Sequence, residues 1–269
     1  MNLSITPGTN NVGAYINDVD LKNLNQNQTI ELKKTLNKFG VIFIKKQNLD
    51  PESYQNFAKN IGQPVLYPRL KGLDDKFPFI NVIERKPNDK NLSFGSSWLH
   101  QDTSYLSDNR PRYTMLMGIE IPEGQGNTIF SSGFNAYEKL PEEIKNKIKD
   151  VTGVFSSAGP IAVTRLEREK EMGIKSSVSM EAEHPIVKTV NGKKTLYISP
   201  GHLIKIKNIN DGEAEYLKNY LIDHVNKKEF IFSYEWSKGD VCLWDNLSIL
   251  HMASEIKNCS RIMHRITIK

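Results

Sequence analysis

Cysteine is almost missing from this chain: only Cys242 and Cys259 occur in 269 residues. Two thiols with that separation fit neither a disulfide framework nor a thiolate metal site. Long apolar runs are missing as well. Stretches such as Val41-Ile42-Phe43-Ile44 fall far short of the ~20 residues that cross a bilayer. The opening MNLSITPGTNNVGAYI has neither a basic start nor an apolar core of the signal-peptide kind, so a cytoplasmic protein without a membrane partner is expected. Dense basic blocks are lacking too. The 36 Lys and Arg against 31 Asp and Glu leave a formal charge of +5 spread along the chain. That pattern argues against nucleic acid as a partner and leans weakly toward small anions. There is no repeat, low-complexity tract or interdomain linker, and the expectation is one domain over 1–269.

The first sixty residues read as helix, strand, helix. Leu32, Leu36 and Phe39 fall at i, i+4 and i+7 ahead of Gly40, a helix-ending residue. Val41 to Ile44 reads as a buried strand. Asp50 and Pro51 then open a second helix carrying Tyr54, Phe57, Ala58 and Ile61 on one stripe. Further on, Tyr113 to Ile121, Thr195 to Ser199, Glu229 to Tyr234, Asp240 to Trp244 and Arg261 to Ile268 look extended. One helix is expected near Pro141 and another capped by Asp211, with Ala214, Leu217, Leu221 and Val225 on its inner face. This mainly β pattern with flanking helices suggests a double-sheet barrel or jelly roll. Residues 85–97 and 159–183 read as long loops, and loops of that length in a compact domain are often active-site lids.

Trp98-Leu-His-Gln-Asp-Thr103 contains an H-x-D pair. In an extended segment His100 and Asp102 point to the same face. His251, following Asp240-Val-Cys-Leu-Trp-Asp-Asn-Leu247, is the best third ligand. Two histidines and one carboxylate leave open positions, the arrangement used by non-haem Fe(II) oxygenases. The other histidines have structural readings: His184 in a turn, His224 on the polar side of a helix. His202 could face the cavity or serve a structural role.

The strand Arg261-Ile-Met-His-Arg-Ile-Thr-Ile268 alternates cleanly. Arg261, Met263, Arg265 and Thr267 share one face, and apolar residues on both faces suggest a covered strand. Two arginines there are costly unless an anion pairs with each. They lie about 13 Å apart along the strand, too far for one compact carboxylate, so two anion sites are expected. The alternative is that protein carboxylates pair with them.

Taken together these residues resemble the taurine dioxygenase / TfdA family. The likeness runs from Ile5-Thr-Pro, Val12-Gly-Ala-Tyr-Ile, Gly40-Val-Ile-Phe-Ile and Phe57-Ala-Lys-Asn-Ile-Gly through the H-x-D motif. It continues over Gly126-Asn-Thr-Ile-Phe-Ser-Ser, His184-Pro-Ile-Val, Trp244-Asp-Asn, His251 and Arg261-Ile-Met-His-Arg265. The resemblance implies a double-stranded β-helix (jelly roll) core. It also implies an Fe(II)- and 2-oxoglutarate-dependent dioxygenase that uses O2, hydroxylates a small anionic substrate, and releases succinate and CO2. By motif, His100, Asp102 and His251 hold iron, while Arg261 and Thr128 hold the remote carboxylate of 2-oxoglutarate. Arg265 holds the substrate's anionic group, with Tyr67, Ser96, Thr103 and His202 as further substrate contacts. Self-association is also expected. The chain departs from the taurine enzyme at Tyr67 and Leu70, at Ser96 and at His202, which argues against taurine itself. Organosulfonates, sulfate esters, phosphonates and carboxylic acids remain candidates. Two rival readings remain: a 2-oxoglutarate/metal-binding sensor without turnover, and a cupin-like hydrolase or isomerase, which gives Arg261 no purpose.

Overall fold

The computed structural model describes residues 3–67, 70–89, 94–162 and 179–269. Its β-strands are β1 (Ser4–Pro7), β2 (Ala14–Asn17), β3 (Val41–Ile44), β4 (Pro64–Val65), β5 (Asn81–Arg85), β6 (Tyr113–Glu120), β7 (Thr128–Ser132) and β8 (Thr152–Ser156). They continue as β9 (Glu181–Pro185), β10 (Val187–Val190), β11 (Lys193–Leu196), β12 (Leu203–Lys207), β13 (Ile231–Tyr234), β14 (Val241–Asp245), β15 (Ile249–Ala253) and β16 (Arg261–Ile268). The α-helices are α1 (Gln26–Phe39), α2 (Pro51–Ile61), α3 (Gly133–Glu138), α4 (Glu142–Ile148) and α5 (Asp211–Val225).

Both N-terminal helices start and stop for local reasons. Asn25 and Gln28 form a capping box on α1, which ends at Gly40 in the left-handed region (φ 77°). Asp50 accepts from Ser53 N at 2.8 Å and Pro51 occupies the first turn of α2. Their apolar stripes, with Leu32, Leu36, Tyr54, Phe57 and Ile61, cover one face of the large sheet.

That sheet has the order β1-β2-β3-β14-β6-β16-β4, with β5 also paired to β16. Period-2 alternation divides its strands between two cores. Ile42, Ile44, Met115, Met117, Val241, Leu243, Ile266 and Ile268 meet α1 and α2. Val41, Phe43, Leu116, Cys242, Trp244 and Met263 face the other way, onto Phe130, Tyr234 and Ile249. Those last three belong to a second sheet of order β13-β7-β15. The functional side chains of β16, β7 and β15 therefore lie between two sheets. A further sheet, β12-β8-β9, packs with α4 and α5 around Phe155, Leu203 and Leu221.

Several boundaries differ from the sequence expectation. Asn210, not Asp211, caps α5, accepting from Gly212 N at 2.8 Å; Asn210 is the residue with non-helical backbone. β11 ends at Leu196 because the chain turns through Ser199, whose φ is 36°. Asp240 precedes its strand; its carboxylate accepts from Lys46 N and Ser237 N and closes a turn. Of the expected loops, Arg85 closes β5 and Glu181–Glu183 lie in β9, while residues 90–93 and 163–178 fall outside the described residues. Among the described residues, no helix is long and apolar enough to cross a membrane.

Candidate metal centre

His251 lies in β15, and His100 pairs with it as an isolated antiparallel bridge. The two backbones exchange hydrogen bonds, His100 N to His251 O at 3.0 Å and His251 N to His100 O at 2.9 Å. Residues directly opposite in an antiparallel pair have Cβ atoms about 4.5–5.5 Å apart, within reach of two imidazoles. The imidazole centroids are 4.4 Å apart. Asp102 Oδ1 lies 4.0 Å from His100 Nε2 and 3.9 Å from His251 Nε2. The ligand atoms of all three lie within 4.8 Å of one another, near the ~4.2 Å that two bonds of ~2.1 Å to one ion can span.

The hydrogen bonds select which atoms remain for a metal. His100 Nδ1 lies 3.0 Å from Trp98 O and donates to it, leaving Nε2 with a lone pair. Asp102 Oδ2 accepts from Thr114 Oγ1 at 2.6 Å and Arg265 Nη2 at 2.8 Å, leaving Oδ1 toward the histidines. Burial opposes ionisation of Asp102. The Arg265 guanidinium, with the Thr114 hydrogen bond, overrides it and holds the carboxyl far below its usual range. Burial above all lowers both histidines, His251 the more because His100 adjoins it. Two neutral imidazoles and one carboxylate are the protonation states a divalent cation requires.

The arginines share the inner face of β16, as the alternation implies. Arg265 is 3 % exposed; Asp102 is its acid partner, Tyr67 lies over its guanidinium at 4.6 Å, and its Nη1 is buried without a partner among the described residues. The carboxylate-pairing alternative is thus realised at Arg265. Arg261 differs. It is 6 % exposed, and its Nε and Nη2 have no hydrogen-bond partner among the described residues. Burial pulls its pKa from 12.5 down to about 10. A desolvated guanidinium with two orphaned donors suits a carboxylate ligand such as the far end of 2-oxoglutarate. Gly126 (φ 73°) lets the arginine pass: a Cβ there would sit 3.0 Å from Arg261 Cδ. Thr128, two residues on, opens β7 and accepts from Trp236 Nε1 at 3.0 Å.

The remaining site residues gather nearby. Ser96 is buried and bridges Ala253 of β15. Thr103 follows Asp102 with φ 54° and donates to Asp102 O. His202 lies edge-on to His100 with centroids 5.8 Å apart, while its Nδ1 sits 2.9 Å from Ser104 Oγ. Two structural histidines stand elsewhere than expected. His184 is buried in β9 beside Arg110 and Leu106 O, and His224 is buried with Nε2 2.8 Å from Ala136 O. Both are core histidines. A surface groove of ≈ 390 Å³ beside Lys38, Phe134, Tyr137, Lys193 and Lys194 contains none of these site residues. The convergent donor set, not that groove, locates the chemistry.

Comparison with known proteins agrees with this geometry. Residues 4–267 match the model of the taurine catabolism dioxygenase TauD, TfdA family. The chain belongs to this family. An alkylsulfatase of Acinetobacter baylyi is 30 % identical over 273 residues, covering 97 % of this chain and 83 % of that protein. An alpha-ketoglutarate-dependent sulfate ester dioxygenase of Pseudomonas putida is 28 % identical over 281 residues, covering 100 % and 90 %. The crystal structure of a taurine dioxygenase from Burkholderia xenovorans superposes with a TM-score of 0.83 at 25 % identity, over 99 % of this chain and 89 % of that one. This TauD/TfdA member is a 2-oxoglutarate-dependent non-haem iron dioxygenase, with Fe(II), 2-oxoglutarate and O2 as its cofactor and co-substrates. The sensor reading is set aside.

Sequence reasoning gave no role to Thr114. Its signal is positional: the register places it beside Trp244 on one side and Thr267 on the other, facing the intersheet space. No single motif carries that information.

Proposed function

We propose that this TauD/TfdA dioxygenase hydroxylates a small organic anion, with sulfate esters first among the candidates and sulfonates next. His100, Asp102 and His251 hold the metal. Arg261 and Thr128 hold the remote carboxylate of 2-oxoglutarate, and Arg265 takes the anionic group of the substrate. Tyr67, Ser96, Thr103 and His202 line the same space. One domain carries this site in a double-stranded β-helix, with 85–97 and 159–183 as its active-site loops. In support, Gly95 lies against the His100 ring and accepts from Ala253 N, while Ile161 N donates to Gly201 O.

The observation that carries the substrate reading is Arg265 Nη1, buried and unpartnered beside the carboxylate ligand. The alkylsulfatase and sulfate ester dioxygenase relatives favour an ester sulfate for that donor. When bound, Fe(II) with 2-oxoglutarate and O2 supplies the oxidising chemistry, releasing succinate and CO2. The protein's part is positional. Neutral His100 and His251 present Nε2, and Asp102, tied at Oδ2, presents Oδ1. Arg265 sets which substrate carbon faces the metal. Hydroxylation of a carbon bearing a sulfate ester gives an adduct that collapses to an aldehyde or ketone and free sulfate. Asp102 supplies a carboxylate ligand to the metal, and the expected product is hydroxylated.

An anaerobic titration with Fe(II) and 2-oxoglutarate tests this. A weak visible charge-transfer band should need both components, and a short alkyl sulfate should shift it and then release sulfate under air. A band that no alkyl sulfate or sulfonate moves, with tight response to an uncharged analogue instead, would refute the role of Arg265.

A further inference from the structure

Behind the carboxylate ligand runs a chain of buried hydrogen bonds that ends against a histidine ligand. Thr114 Oγ1 bonds Asp102 Oδ2 at 2.6 Å, Asn246 Nδ2 bonds Thr114 Oγ1 at 2.9 Å, and Trp244 Nε1 bonds Asn246 Oδ1 at 2.9 Å. The Trp244 ring packs on the His251 imidazole with centroids 4.5 Å apart. Thr114, Trp244 and Asn246 are all at most 2 % exposed. The register builds this: Thr114 of β6 lies directly opposite Trp244 of β14.

The direction of every bond is fixed. An indole N–H can only donate, so it claims the amide oxygen of Asn246. The amide nitrogen must then face Thr114, whose hydroxyl accepts it and has one proton left to give. That proton goes to Asp102 Oδ2. We infer that Trp244, Asn246 and Thr114 are positioning residues that enforce one-oxygen presentation of Asp102 to the metal and fix the His251 ring at the same time. Arg265 supplies the second donor to Oδ2 but also belongs to the substrate side. The chain therefore keeps Oδ1 alone directed at the metal whichever way the substrate engages Arg265. This inference rests on the metal-site reading above.

Co(II), whose visible bands report coordination, is the probe. Thr114→Val keeps the shape and removes the proton; it should weaken Co(II) binding 10- to 100-fold, as loss of a partner behind a ligand typically does. At saturating Co(II) its spectrum should differ from that of the wild type, because Oδ2 is then released toward the metal. Thr114→Ser keeps the hydroxyl and should restore both readings. Trp244→Phe keeps a ring on His251 but frees the Asn246 amide; it should move the spectrum in the same direction, and it carries the test should Thr114→Val fail to fold. Unchanged affinity and spectrum in a folded Thr114→Val or Trp244→Phe protein would overturn the inference. Failure of the wild type to bind Co(II) would overturn the metal-site reading itself.

Discussion

Replacing Arg261 by methionine should make the ligand-free protein more stable while abolishing its response to 2-oxoglutarate. The guanidinium is 6 % exposed, has orphaned Nε and Nη2, and has a pKa drawn from 12.5 to about 10. That displacement corresponds to roughly 3 kcal/mol favouring the unfolded chain. The sign follows from proton binding. Between pH 10 and 12.5 the unfolded chain holds the proton that the folded one has released, so stability rises with pH there, and the cost is complete at neutral pH. Methionine fills much of the same volume without charge, so about 1–3 kcal/mol should be recovered. At this chain length each kcal/mol is worth ~2–4 °C in Tm. In the wild type a saturating carboxylate ligand reverses the deficit, with ~2.7 kcal/mol expected at a hundredfold excess over Kd. Differential scanning fluorimetry of both proteins, with Zn(II) and with or without 2-oxoglutarate, reads all four states. A destabilised Arg261→Met protein whose Tm still climbs with 2-oxoglutarate as in the wild type would refute both the burial argument and the assignment.

Other perturbations separate the remaining parts. His251→Ala should lose Fe(II) binding and succinate formation; near-normal turnover would remove it from the triad. Arg265→Ala breaks the buried pair with Asp102 and should lower ligand-free stability by about 3–5 kcal/mol in urea titrations while weakening substrate more than 2-oxoglutarate. Equal damage to both ligands would dissolve the division into two anion sites. Gly126→Ala strains a backbone at φ 73° and presses on Arg261, so the 2-oxoglutarate KM should rise with kcat less affected. Burial and nearby Arg110 hold His184 down at about 4 against an ordinary 6.5. The unfolded chain therefore binds the extra proton, and stability contributed by neutral His184 is lost as pH falls from 6.5 toward 4. His184→Gln should show a shallower loss over that window in urea midpoints, and parallel slopes would show that His184 does not titrate there.

The His100–Asp102 pair and the β16 alternation were legible because each depends on local spacing, whereas His251, distant in the chain, was reached through the strand before it and the family resemblance. His100 and Asp102 are two apart, and Arg261 and Arg265 share one face of one strand. The helices α1 and α2 announced themselves through caps and stripes. What escaped depends on pairing between distant segments. Short strands such as β5, β7 and β15 carry few residues of their own and gain definition from neighbours in the sheets. His184 looked like a turn residue beside Pro185, yet pairing with β8 places it opposite Gly153 in a strand. The Arg265–Asp102 pair is invisible in sequence for the same reason, since only the intersheet packing brings β16 to the H-x-D segment.

The reciprocal backbone bonds between His100 and His251 also bear on how tightly a metal can be held. About 150 residues of chain separate these two ligands, and bringing the ends of a flexible segment of that length together costs roughly 4 kcal/mol. A cation that had to gather them itself would forfeit about a thousandfold in Kd. Here two peptide hydrogen bonds hold that ring closed independently of the ligand side chains. The backbone, rather than the metal, then bears the cost of bringing His100 and His251 together.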